Sequence, residues 1–93
     1  MQIAAIFYRT KDGLADYYFS FEQLADGNWR AFILSQPSYG GRSESLHDTH
    51  RLRDGGRYYV CWTAPLSTFH DAQQVAAIWA DSTQDYIRTG NSF

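Results

Sequence analysis

Side chains able to do chemistry concentrate in one stretch of this chain, QPSYGGRSESLHDTHRLRDGG, Gln36 to Gly56. It holds Arg42, Arg51, Arg53, His47 and His50, with the hydroxyls of Ser38, Ser43, Ser45 and Thr49 and the ring of Tyr39. Planar guanidinium forks, hydroxyls and the backbone N–H groups freed at glycine-containing turns are what a phosphate or carboxylate ligand requires. With Arg57, residues 36–57 carry four basic against three acidic side chains, whereas the rest of the chain carries four against seven. The segment is therefore locally basic in an acidic body. Tyr39 or Tyr58 can supply a ring to stack on a base.

Other chemistries find less support in these residues. His47 and His50 have the His-x-x-His spacing that binds a metal when it lies on a helix. No helix is expected here, and Cys61 and His70 stand at no defined spacing from the pair, so no metal is expected. The triplet His47-Asp48-Thr49 resembles the His-x-Thr element of the two-histidine phosphoesterases. Such enzymes need two such elements, and His70-Asp71-Ala72 lacks the hydroxyl, so the resemblance ends at one triplet and assigns no family. Cys61 sits among Val60 and Trp62 in an apolar run, the setting of an inert core thiol. Ser38 to Ser43, SYGGRS, lacks the lysine and following helix of a phosphate-binding loop. No cofactor is implied.

Size and charge limit the partners. The 93 residues suit one domain with one modest core. A net charge of −2 gives no general pull toward nucleic acid or anionic membrane. A single cysteine excludes an internal disulfide and fits a reducing compartment. The N-terminal MQIAAIFYRTKDG has no basic start and no small-residue cleavage site, and no apolar run approaches the roughly 20 residues of a membrane span. A cytoplasmic protein is expected.

The elements that must position the segment can be read from period and punctuation. Asp12-Gly13, Asp26-Gly27 and Asp54-Gly55 each mark a hairpin turn between strand-like runs. The runs are Gln2 to Arg9, Ala15 to Gln23, Asn28 to Ser35, Thr49 to Arg53 and Arg57 to Trp62. In the second, Tyr17, Phe19 and Phe21 share one face. In the fourth, alternation groups His50 with Leu52 and Arg51 with Arg53. Leu52 is taken as its core anchor, which leaves His50 partly buried and the two arginines projecting together as an anion clamp.

Beyond Pro65 the period changes to that of a helix, expected from Phe69 to Thr89. Ser67 or Thr68 is its cap, Asp71 lies in its first turn, Arg88 in its last and Gly90 at its stop. Ala72, Val75, Ala76, Trp79, Thr83, Tyr86 and Ile87 form its apolar stripe. The expected fold is a single α+β domain over residues 1–93. It has two layers, an antiparallel sheet of four to five strands, meander plus hairpin, covered on one face by the C-terminal helix. The uncovered face, with Tyr18, Phe32 or Leu34, and Tyr59 or Trp62, suggests a homodimer.

The function expected from these residues is a small non-enzymatic binding module that sequesters or senses a phosphate-bearing small molecule such as a nucleotide. Its grip is Tyr39, Arg42, His47, His50, Arg51 and Arg53. One alternative is a small inhibitor or adaptor, of phage or mobile-element type, that docks on a larger protein through the same segment. A third is a metal-independent phosphodiesterase with His47 and His50 as acid and base.

Overall fold

The computed structural model describes all 93 residues. The three Asp-Gly turns separate strands as their chemistry dictates. β1 (Gln2–Arg9) and β2 (Asp16–Gln23) flank the first turn, β2 and β3 (Trp29–Ser35) the second, and β4 (Arg51–Asp54) and β5 (Arg57–Val60) the third. In the first turn the Asp12 carboxylate accepts from the Thr10 hydroxyl at 2.6 Å and from the Leu14 N–H at 2.9 Å, fixing the reversal from one side chain. All pairings are antiparallel, in the order β1-β2-β3-β5-β4. Because β5 returns beside β3, β4 becomes an edge strand, and the long polar segment joins β3 to that edge.

α2 (Phe69–Thr89) covers one face. The Thr68 hydroxyl accepts from the Asp71 N–H at 3.0 Å, and Gly90, at φ 77°, ends the helix with its N–H donating to the Tyr86 carbonyl at 2.8 Å. Ala72, Val75, Ala76, Trp79 and Ala80 pack against Tyr17, Phe19 and Phe21 of β2. The alanines let the backbone approach closely, which brings the Trp79 indole edge-on to Tyr17 at 5.8 Å and to Phe19 at 6.1 Å. Such aromatic pairs each contribute about 0.5–1.5 kcal/mol beyond the area they bury. No helix of the chain is long and apolar enough to cross a membrane.

The opposite face is covered by arginines. Arg57 lays its guanidinium 3.8 Å above the Phe32 ring and pairs with Glu22, so Phe32 is only 1% exposed without any helix over it. Arg30 does the same for Tyr59, at 4.2 Å, and pairs with Asp54 at 3.0 Å. Phe7 and Tyr18, ring centroids 6.0 Å apart, remain exposed on this face.

The polar segment departs from expectation in two ways. A short helix, α1 (Leu46–Thr49), forms where none was expected. The Ser45 hydroxyl caps it by accepting from the Asp48 N–H, and the Thr49 hydroxyl donates back to the Ser45 carbonyl at 2.7 Å. His50 then takes a left-handed conformation, φ 51°, so the strand begins at Arg51 and not at Thr49.

The second departure is the facing of β4. Arg51 pairs with the buried Val60, and Leu52 pairs with Tyr59. Arg51 therefore turns toward the helix-covered side and is 7% exposed, while Leu52 is 40% exposed and is not a core anchor. His50, outside the strand, is exposed and not partly buried. The partner strand set the facing: Val60 is a stronger anchor than Leu52, and a one-residue change of parity moves every side chain to the other face.

Candidate functional site

The inverted facing of β4 creates the site. The Arg51 guanidinium enters a cleft of about 450 Å³ between the end of β3, the 36–44 segment and β5. Its Nε donates to the Thr49 hydroxyl at 2.8 Å and its Nη2 to the Glu44 carbonyl at 2.9 Å. Tyr58 lies 4.1 Å from its central carbon and Tyr39 lies 5.1 Å away. Both rings thus lie within cation–π range of the guanidinium and help to hold it.

Its charge has no counter-ion within the chain. The ion pairs are Arg9–Asp16, Arg30–Asp54, Arg57–Glu22 and Arg88–Asp12. Arg42, Arg51 and Arg53 make none. For Arg42 and Arg53 this is unremarkable, because both are exposed. For Arg51 it is costly, since a buried charge without a partner is disfavoured by several kcal/mol in the interior, of which rings and neutral acceptors recover only part. Its Nη1 has no acceptor in the chain, so part of the fork remains available.

The cleft supplies further polar groups beside Arg51. Ser35, Gln36 and Ser38 line it, as does Glu44, the one acidic residue among the lining. The Tyr39 hydroxyl donates to Gln36 Oε1 at 3.3 Å. Burial pushes that hydroxyl above the ordinary tyrosine value, with Gln36 and the Arg51 charge offsetting part of the rise, so it remains a neutral donor. Ile33, Leu34 and Pro37 give the cleft an apolar wall.

The other residues singled out in the sequence fall in different places. Arg53 stands 5.5 Å from the same Tyr58 ring as Arg51, and its Nε donates to the Gly55 carbonyl at 3.1 Å. Arg42 is drawn away to the end of α2, where its Nε and Nη2 reach the Ile87 and Arg88 carbonyls at 3.4 Å each. There it satisfies groups a helix terminus leaves unpaired. His47 is exposed on α1. The His50 ring stacks on Phe93 at 4.4 Å and lines a separate apolar cleft of about 280 Å³ with Cys61, Trp62, Ile78 and Trp79. The two clefts share no lining residue. Arg51, Tyr39 and Arg53 are thus brought together around Tyr58, and Arg42, His47 and His50 are not.

Glu44 is absent from the grip expected from the sequence, and Thr49 figures there only as one of the segment's hydroxyls. Thr49 is fully buried, and its position follows from the α1 turn, for which the signal was the Ser45-x-x-Asp48 spacing typical of a capped helix start. No three or more His, Cys, Asp or Glu side chains gather in a way that could hold a metal ion. The chain matches no protein-family model, no curated protein and no solved structure.

Proposed function

We propose that this protein is a non-enzymatic binding module whose ligand is a phosphate-bearing small molecule such as a nucleotide, taken by the Arg51 cleft. The observation that carries this reading is the Arg51 guanidinium. It is 7% exposed, within cation–π range of Tyr39 and Tyr58, without a carboxylate partner, and it opens onto a polar cleft. An anion bound there supplies the missing counter-charge through charge-assisted hydrogen bonds. The volume of about 450 Å³ lies within the range of small-molecule sites, and the wall of Ile33, Leu34 and Pro37 gives a base or sugar an apolar surface.

A thermal-shift titration with a panel of nucleotides tests it. A ligand of the folded state raises the melting temperature in proportion to the logarithm of its concentration above Kd. The expected result is a rise with the unsubstituted protein and a smaller one with Arg51→Lys, which keeps a charge but loses the planar fork. Arg53→Gln, an exposed site, serves as a second variant that leaves the fold intact. No rise at millimolar nucleotide overturns the reading.

A second reading, docking on a larger protein as an inhibitor or adaptor, is favoured by one observation. Trp62 and Ile78, 45% and 52% exposed, flank the apolar cleft that holds the His50–Phe93 stack. An exposed tryptophan at a cleft is the kind of anchor that dominates protein interfaces. Co-purification with a protein from the source cell that is lost in Trp62→Ala, with the melting temperature unchanged, selects this reading.

A further inference from the structure

We infer that the Arg51 cleft selects a singly charged phosphodiester over a terminal phosphate, an inference that rests on the nucleotide reading above. Arg51 is the one cation lining the cleft, and Arg53 is the only other cation near its rings. Glu44, which also lines the cleft and whose negative charge is felt at the Tyr39 hydroxyl, offsets one of these charges. The site thus offers one net positive charge.

Its hydrogen-bonding capacity agrees. Nε and Nη2 of Arg51 each donate once, to the Thr49 hydroxyl and the Glu44 backbone carbonyl, and the rings of Tyr39 and Tyr58 crowd the guanidinium. Three of its five N–H groups remain, two on Nη1 and one on Nη2, enough for two oxygens of a single anionic group. A phosphodiester presents two unesterified oxygens and one negative charge. A terminal phosphate carries about −1.5 to −2 at neutral pH, and a polyphosphate more. Their additional charge would meet the negative field of Glu44 with no further cation in the lining to compensate it, and like charges in a partly desolvated site repel strongly. The remaining polar lining, Ser35, Gln36 and Ser38, is neutral and satisfies ester oxygens or base edges without calling for more charge.

Calorimetric titration with three probes of one base tests this: a 3′,5′-cyclic mononucleotide, its 5′-monophosphate and its 5′-triphosphate. The cyclic diester is expected to bind tighter than the monophosphate by about tenfold, as one uncompensated charge near a carboxylate implies. Glu44→Gln, checked for an unchanged melting temperature, is expected to strengthen the monophosphate more than the diester and so narrow the gap. Monophosphate or triphosphate binding as tightly as the diester overturns the selectivity while leaving the nucleotide reading in place. Failure of all three probes to bind overturns both.

Discussion

The indole N–H of Trp79 donates to the backbone carbonyl of Thr49 at 3.0 Å. The largest side chain on the buried face of α2 is therefore tied to the residue whose hydroxyl holds Arg51. Through this bond the hydrophobic core fixes the position of the cleft's cation. Replacing Trp79 by Phe keeps most of the packing and leaves the buried Thr49 carbonyl without its donor, at a cost of about 1–3 kcal/mol. Urea denaturation should show that loss, and nucleotide affinity should fall with it, because Thr49 and Arg51 shift together.

Arg51→Met tests the cation itself. It removes the donors to Thr49 and Glu44 but also removes a buried charge without a counter-ion. Replacing such a charge by an apolar side chain of similar shape can be neutral or stabilising. The expected outcome is unfolding stability within about 1 kcal/mol of the parent, with ligand binding abolished. A large drop in stability in the absence of ligand would mean that the Glu44 and Thr49 contacts outweigh the desolvation of the charge.

Gly90 and Arg42 make a coupled pair. A Cβ at position 90 would lie 2.8 Å from Arg42 Nη1, on a backbone at φ 77°. Gly90→Ala should cost the left-handed backbone penalty, about 1–2 kcal/mol, plus the displacement of Arg42 from the helix end. In an Arg42→Ala background only the backbone part should remain. A double-mutant cycle by chemical denaturation measures the difference. Additive costs would show that Arg42 moves aside freely.

Alkaline pH probes the Tyr8 contact. The Tyr8 hydroxyl donates to Asp81 Oδ2 at 2.7 Å, and its pKa is pushed up from 10.0 to about 12, by burial first and by Asp81 second. The folded state keeps this proton where the unfolded chain loses it. The contribution to stability is therefore complete below pH 10 and is lost as pH rises through 12. Urea midpoints should fall across that window, and they should fall less in Tyr8→Phe. Tyrosinate absorbance should show the Tyr8 step leaving the titration in the same variant.

Much of the fold is legible in the residues, for physical reasons that differ by element. α2 runs from Phe69 to Thr89 as expected because its period, its Thr68 cap and its Gly90 stop agree with one another. The meander follows from the first two Asp-Gly turns and the β4–β5 hairpin from the third. β4 was legible as a strand but not in its facing. Four residues with one aliphatic side chain carry little parity information, and the pairing of Arg51 with Val60 decided it from a distance. The cleft inherits that limit. Arg51 and Arg53 read as a pair, but alternation with Leu52 as anchor projects Arg51 outward, and only the tertiary fold turns it inward beside Tyr39 and Tyr58. Arg42 looked equivalent to them in sequence, yet the helix terminus that captures it lies 45 residues further along the chain.

One feature of β1 bears on how the molecule behaves in crowded solution. This strand is the far edge of the sheet, and its pairing with β2 is interrupted between Ile3 and Ile6, where Ala5 adopts φ 61°. A bulge bends and twists an edge and misaligns its free N–H and C=O groups. The straight part left for a foreign strand to copy is therefore short. At this open end of the sheet the irregularity is of the kind that discourages strand-by-strand growth into fibrils.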